Sequence, residues 1–131
     1  MNRTLKYVWA FPATAVGLVL MLIAASGGAT VVTVDGIVEV AGGRFGRWVS
    51  GLPPLFRFSA ITFGHVVLGI SHPVLERCRA HEQVHVRQYE RWGALFFVLY
   101  PGASLLAAAR GRSLYWDNHF ERQAREEADR I

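Results

Sequence analysis

Residues 7–26, YVWAFPATAVGLVLMLIAAS, contain no charge over twenty positions, and no other stretch limits the fold as strongly. As a helix rising ~1.5 Å per residue, this run reaches across a hydrocarbon layer of ~30 Å. Residues 1–26 therefore read as an N-terminal transmembrane anchor, with a cleaved signal peptide as the other reading. Pro12 lies near the start, where a helix tolerates it. Small residues at 24–29 permit cleavage, but the run is longer than a signal peptide's apolar region, which favours the anchor. Arg3 and Lys6 precede the run, whereas Asp35, Glu39, Arg44 and Arg47 roughly balance after it. That asymmetry predicts a single pass with the N-terminus in the cytoplasm.

Composition points the same way, with 52% hydrophobic and only 18% charged residues and a mean hydropathy of +0.24. The formal net charge is +4. A basic excess of this size suits an anionic bilayer surface. No nucleic-acid motif or long basic run is present, so membrane lipid is the expected partner and nucleic acid is not. A lone cysteine, Cys78, rules out an intrachain disulfide and is assigned to a helix core. Nothing in the sequence sets an oligomeric state.

Residues 27–131 read as one small metal-binding domain of the α+β class, mainly helical, with a small antiparallel sheet. Gly27-Gly28 ends the first helix, and residues 30–40, TVVTVDGIVEV, carry an Asp-Gly turn signal between two short β-branched runs. Residues 42–58 mix Gly and Pro with Arg44, Arg47, Arg57 and four aromatics, and predict an irregular loop, either at headgroup level or an ordinary connecting loop. Residues 59–70 predict a third strand weakened at Gly64, with His65 as an ordinary polar strand residue. The uncharged run 93–109 is cut by Pro101-Gly102, giving either core helices or a second membrane-embedded segment. Gly111 is a helix stop, and a charged helix follows from residue 118.

Between these lies His81-Glu82-Gln83-Val84-His85, an HExxH motif. Residues four apart share one helix face, so both imidazoles can reach a single metal ion. Glu82 then stands where a carboxylate can deprotonate a zinc-activated water. Residues 74–92 lack Gly and Pro, and Ser71-His72-Pro73 supplies an N-cap and a first-turn proline. Leu75, Cys78, Glu82, His85, Tyr89 and Trp92 form one stripe at helical spacing. A carboxylate and a histidine within such a stripe need partners when buried, and a metal supplies them. A di-iron bundle would need a second ExxH, and none occurs.

A catalytic zinc wants a third protein ligand and an open fourth position. The metzincin extension is absent, because Gln88 and Arg91 occupy the places of its Gly and His. HEQVH on one helix, followed by Glu121 in NHFERQA on a C-terminal helix, resembles the gluzincin type of zinc metallopeptidase in a minimal form; the likeness covers roughly residues 60–129. The resemblance implies a zincin-like fold, His81, His85 and Glu121 as zinc ligands, and Glu82 as general base. Glu121 is also the third residue after Asn118, so a helix-capping box explains it without a metal; His119, Glu126 and Asp117 are the other ligand options. Arg125 stands where an acidic partner for a ligand histidine is expected, leaving Asp129 or Asp117 for that role. Tyr115 and His119 are candidates for stabilising an oxyanion. The expected activity is peptide-bond hydrolysis on a peptide or protein substrate by a membrane-associated zinc enzyme. The alternative is a membrane protein that binds metal for structure or to engage a partner.

Overall fold

The computed structural model describes residues 2–130 and is mixed α+β, about 62% helical. The elements are α1 (Arg3–Ser26), β1 (Thr30–Val34), β2 (Ile37–Ala41), α2 (Gly43–Ser50), β3 (Ala60–Phe63), β4 (Val66–Gly69), α3 (His72–Trp92), a 3-10 turn (Gly93–Leu95), α4 (Phe96–Ala109) and α5 (His119–Ala128).

The four strands form one sheet in the order β1-β2-β4-β3. β1 and β2 join through Asp35-Gly36, both at positive φ as a two-residue hairpin turn requires. Residues 59–70, expected as a single strand, make a second hairpin, because Gly64-His65 forms a turn that separates β3 from β4. The sheet is not purely antiparallel either. β2 and β4 pair in parallel, since the chain leaves β2 through α2 and a loop, enters the second hairpin on β3 in the opposite direction and returns on β4 in the direction of β2. Residues 42–58 are correspondingly not all loop: Gly43–Ser50 is helical, with Phe45 tilted against Phe58 and with Trp48 and Phe56 exposed.

Strand alternation gives the sheet two apolar faces. Val40, Val66 and Leu68 meet Ala24 and Ala29 at the α1 side, while Ile37, Ala41 and Val67 meet Leu75 and Val86 of α3. α1 is thus a layer of the same unit as the sheet. It buries a stripe of small residues, Ala10, Ala13, Gly17 and Ala24, and Tyr7 donates to the Gly36 carbonyl at 2.7 Å. Two helical stretches, Arg3–Ser26 and His72–Ala109, are long and apolar enough to cross a membrane.

α3 begins as expected, with Ser71 accepting from the Val74 amide and proline in the first turn. It ends at Gly93, which holds φ +57° and leaves no room for a side chain against Trp9. The expected break at Pro101-Gly102 does not occur: α4 runs through both. Pro101 withholds one amide from the turn before it, a loss a solvent-facing residue in a short helix accommodates. α5 then returns across α3 and brings Glu121 to it.

Candidate metal centre

His81 and His85 lie one turn apart on α3, their ring centroids 5.0 Å apart. Both Nε2 atoms converge on one atom, the Glu121 Oε1, at 2.9 Å and 3.0 Å. The second Glu121 oxygen accepts from the Tyr100 hydroxyl of α4. His85 is further held by Gln88, whose Oε1 lies 2.8 Å from Nδ1 and whose amide donates to the Phe120 carbonyl and to Gln123. His85 and Glu121 are buried, and His81 keeps one side toward solvent.

The cap and the carboxylate of α5 are separate devices. Asn118 is fully buried and accepts from the amides of Phe120 and Glu121 at 2.8 Å and 3.4 Å. Its own side-chain amide donates to the Tyr100 carbonyl and the Ser104 hydroxyl, tying α5 to α4. The Asn118 backbone amide is taken by the Tyr115 carbonyl, so the Glu121 carboxylate has no capping role and turns to the histidines.

Charge and burial act together at these groups. Burial alone raises a carboxyl, but the hydrogen bonds from His81 and His85 outweigh it and hold Glu121 well below the usual carboxylate range. His85 shifts the other way: burial lowers it, and the Glu121 hydrogen bond and charge more than offset that, for a net rise.

This donor set fits zinc. Two imidazoles and a carboxylate are a catalytic set that leaves a fourth position open. The three ligand atoms lie within 4.8 Å of one another. Bonds of ~2.0–2.2 Å in a tetrahedron separate ligand atoms by about 3.3–3.6 Å, so the Glu121 oxygen, 2.9 Å and 3.0 Å from the two nitrogens, would move out by a few tenths of an ångström to share an ion with them. The open side of His81 supplies the approach.

Glu82 is buried next to these ligands and outside their cluster, its Oε2 accepting from the Thr62 hydroxyl at 2.7 Å. Thr62 belongs to β3, an edge strand. Tyr115 is exposed and makes no side-chain hydrogen bond to these groups, while desolvation and the charges of Glu121 and Glu82 push its hydroxyl up to about 12.

The other expected site residues lie elsewhere. Asp117 accepts from the Ser113 amide and closes a turn. Asp129 is exposed past the end of α5, and Glu126 is exposed on it. His119 is exposed, edge-on to Phe120, and lines a separate cleft with Arg91 and Gln123. Arg125 lies over the Trp116 ring and donates to the Trp116 carbonyl, away from any ligand histidine. His65 is a buried turn residue, stacked on Tyr7 with Nε2 2.8 Å from Glu90. Cys78 is half-buried on α3.

Sequence reasoning missed Tyr100, Gln88 and Thr62. Gln88 follows His85 by three residues on the same helix face, which is a readable signal. Tyr100 gives none, being one of two hydroxyl residues, with Ser104, inside an apolar run. The chain matches no protein-family model, no curated protein and no solved structure.

Proposed function

We propose that the chain is a membrane-associated zinc metallopeptidase that hydrolyses peptide bonds at the centre formed by His81, His85 and Glu121. The observation that carries this reading is the convergence of both histidine Nε2 atoms on one Glu121 oxygen, with the Glu82 carboxylate buried beside them. Zinc, when bound there, supplies Lewis acidity that polarises a carbonyl and lets water lose its proton near neutral pH.

The chain's own residues do the rest. Tyr100 takes one Glu121 oxygen and so presents the other to the histidines. Gln88 fixes the His85 ring. Glu82 accepts the proton of the attacking water and delivers it to the leaving amine, and Thr62 aims it from the sheet edge. Tyr115 donates to the oxyanion that forms at the scissile carbonyl. β3 pairs on one side with β4 and takes an extended peptide along the other, by backbone hydrogen bonds alone.

The test is zinc content and cleavage of a mixed peptide library by the full chain in detergent. One zinc per chain with turnover, and a Glu82→Gln variant that keeps the zinc but loses turnover, is the expected result. Less than one zinc per chain, or full turnover by Glu82→Gln, overturns the reading.

A further inference from the structure

α1 is apolar on every side, which for a soluble surface helix has no explanation. Its two sides differ in size. Ala10, Ala13, Gly17 and Ala24 face the sheet and α3, where Gly17 lies against Val66. The opposite side carries Leu5, Val8, Val16, Val19, Leu22 and Ile23, each between 41% and 65% exposed. At 100° per residue these six fall in one arc roughly opposite the small residues. The strip continues past Trp9, whose indole donates to the Arg91 carbonyl, onto the 3-10 turn, which packs on α1 and leaves Leu95 exposed.

An upright α1 would carry its neighbours into the bilayer with it. β1 is an edge strand exposed along most of its length, and its unpaired amides and carbonyls cannot be satisfied in hydrocarbon. α3 runs antiparallel alongside, joined to α1 at Trp9 and, just beyond the other end, through His72 and Thr30 at 2.6 Å. It would bring Arg77, Arg87, Glu90 and Arg91 to membrane depth, where charged groups are costly.

Basic residues flank both ends of α1, although Arg3 and Lys6 turn with Tyr7 toward Asp35 and Glu90, on the side away from the exposed strip. Arg3 and Lys6 stand at its start, Arg44 and Arg47 follow its end, and no acidic residue precedes Asp35. The Arg44 amide donates to the Gly27 carbonyl, which fixes that arginine at the helix terminus. The exposed cations that follow the strip, Arg44 and Arg47, and Trp9 near its start, match an anionic headgroup layer met lengthwise.

We propose that α1 lies in the plane of an anionic lipid bilayer, its outer side immersed at the boundary between headgroups and acyl chains, and that it does not cross. This rests on the membrane association proposed above and is independent of the metal centre. The helix is apolar all round because one side meets the sheet and the other meets lipid.

The experiment uses the full chain with Cys78→Ser and a single nitroxide-labelled cysteine at Leu5→Cys, Val16→Cys or Ile23→Cys, all at exposed positions. Each is bound to phosphatidylcholine vesicles with or without phosphatidylglycerol. Circular dichroism confirms the fold, flotation reads binding, and label depth reads orientation. The expected result is flotation that strengthens with phosphatidylglycerol, and a common shallow depth of about 5–10 Å for all three labels. Flotation with Val16 near the bilayer centre and the other two shallow overturns the in-plane geometry while leaving membrane association intact. A folded protein that does not float overturns both. Flotation indifferent to phosphatidylglycerol overturns the anionic partner.

Discussion

Glu121 is the residue on which the centre turns, and its neighbours explain why. One oxygen is held by Tyr100 and the other meets both histidines, so the carboxylate is held in place by side chains alone. Tyr100→Phe removes only the hydroxyl; zinc affinity, measured by competition with a chelator, is expected to fall about 10–100-fold with the fold intact. Glu82→Gln is expected to lower the hydrolysis rate by roughly 10²–10⁴-fold at unchanged zinc content. The pair also sets a pH dependence for the metal-free chain. Glu121 is depressed, so its contribution to stability is present above the unfolded carboxyl pKa and fades as pH falls below about 4.5. His85 is raised, so its contribution is complete below about 6.5 and fades as pH rises through its higher folded value. Melting of the metal-free protein is expected to be highest between these limits. Saturating zinc shifts that optimum upward, because zinc needs neutral imidazoles. A melting profile with the same optimum in both forms contradicts this.

At the scale of elements, α5 matters because one buried asparagine both starts it and ties it to α4. Asn118→Ala is expected to cost about 1–2 kcal/mol in denaturant melts, from the lost cap. It leaves the Ser104 hydroxyl and Tyr100 carbonyl without that partner, and zinc affinity should drop with it because Glu121 is no longer fixed. Much of α3 was legible beforehand: Ser71, Pro73 and the Leu75-to-Trp92 stripe are local patterns, and HExxH depends only on helical spacing. Glu121 was half-legible. Its sequence suits a cap and a ligand, and the Tyr115 carbonyl takes the amide that a capping box needs, which leaves the carboxylate to the two histidines. Tyr100 was not legible, because its reach to Glu121 depends on how α4 lies against α5. The parallel pairing of β2 with β4 was hidden for the same reason, as strand direction across a sheet is set by the connection and not by either strand's residues.

For the whole molecule, the uncharged first run was readable as a helix and as membrane-seeking, but not as one layer of a three-layer unit. Only the packing shows that Ala10 and Ala13 share a cluster with Tyr89, Phe96 and Phe120. A chain lacking residues 1–26 is expected to remain unfolded by circular dichroism, since Val40, Val66 and Leu68 lose their cover. Zinc should stabilise the intact chain by ~2.7 kcal/mol when present at a hundred times its dissociation constant, and Glu121→Ala should lose most of that increment. The X-ray absorption spectrum of the zinc-loaded full chain tests the centre most directly. Two imidazole nitrogens and two oxygens, one of them from the Glu121 carboxylate and lost in Glu121→Ala, are the predicted shell at ~2.0–2.2 Å. A sulfur at ~2.3 Å from Cys78, or a shell unchanged in Glu121→Ala, contradicts it.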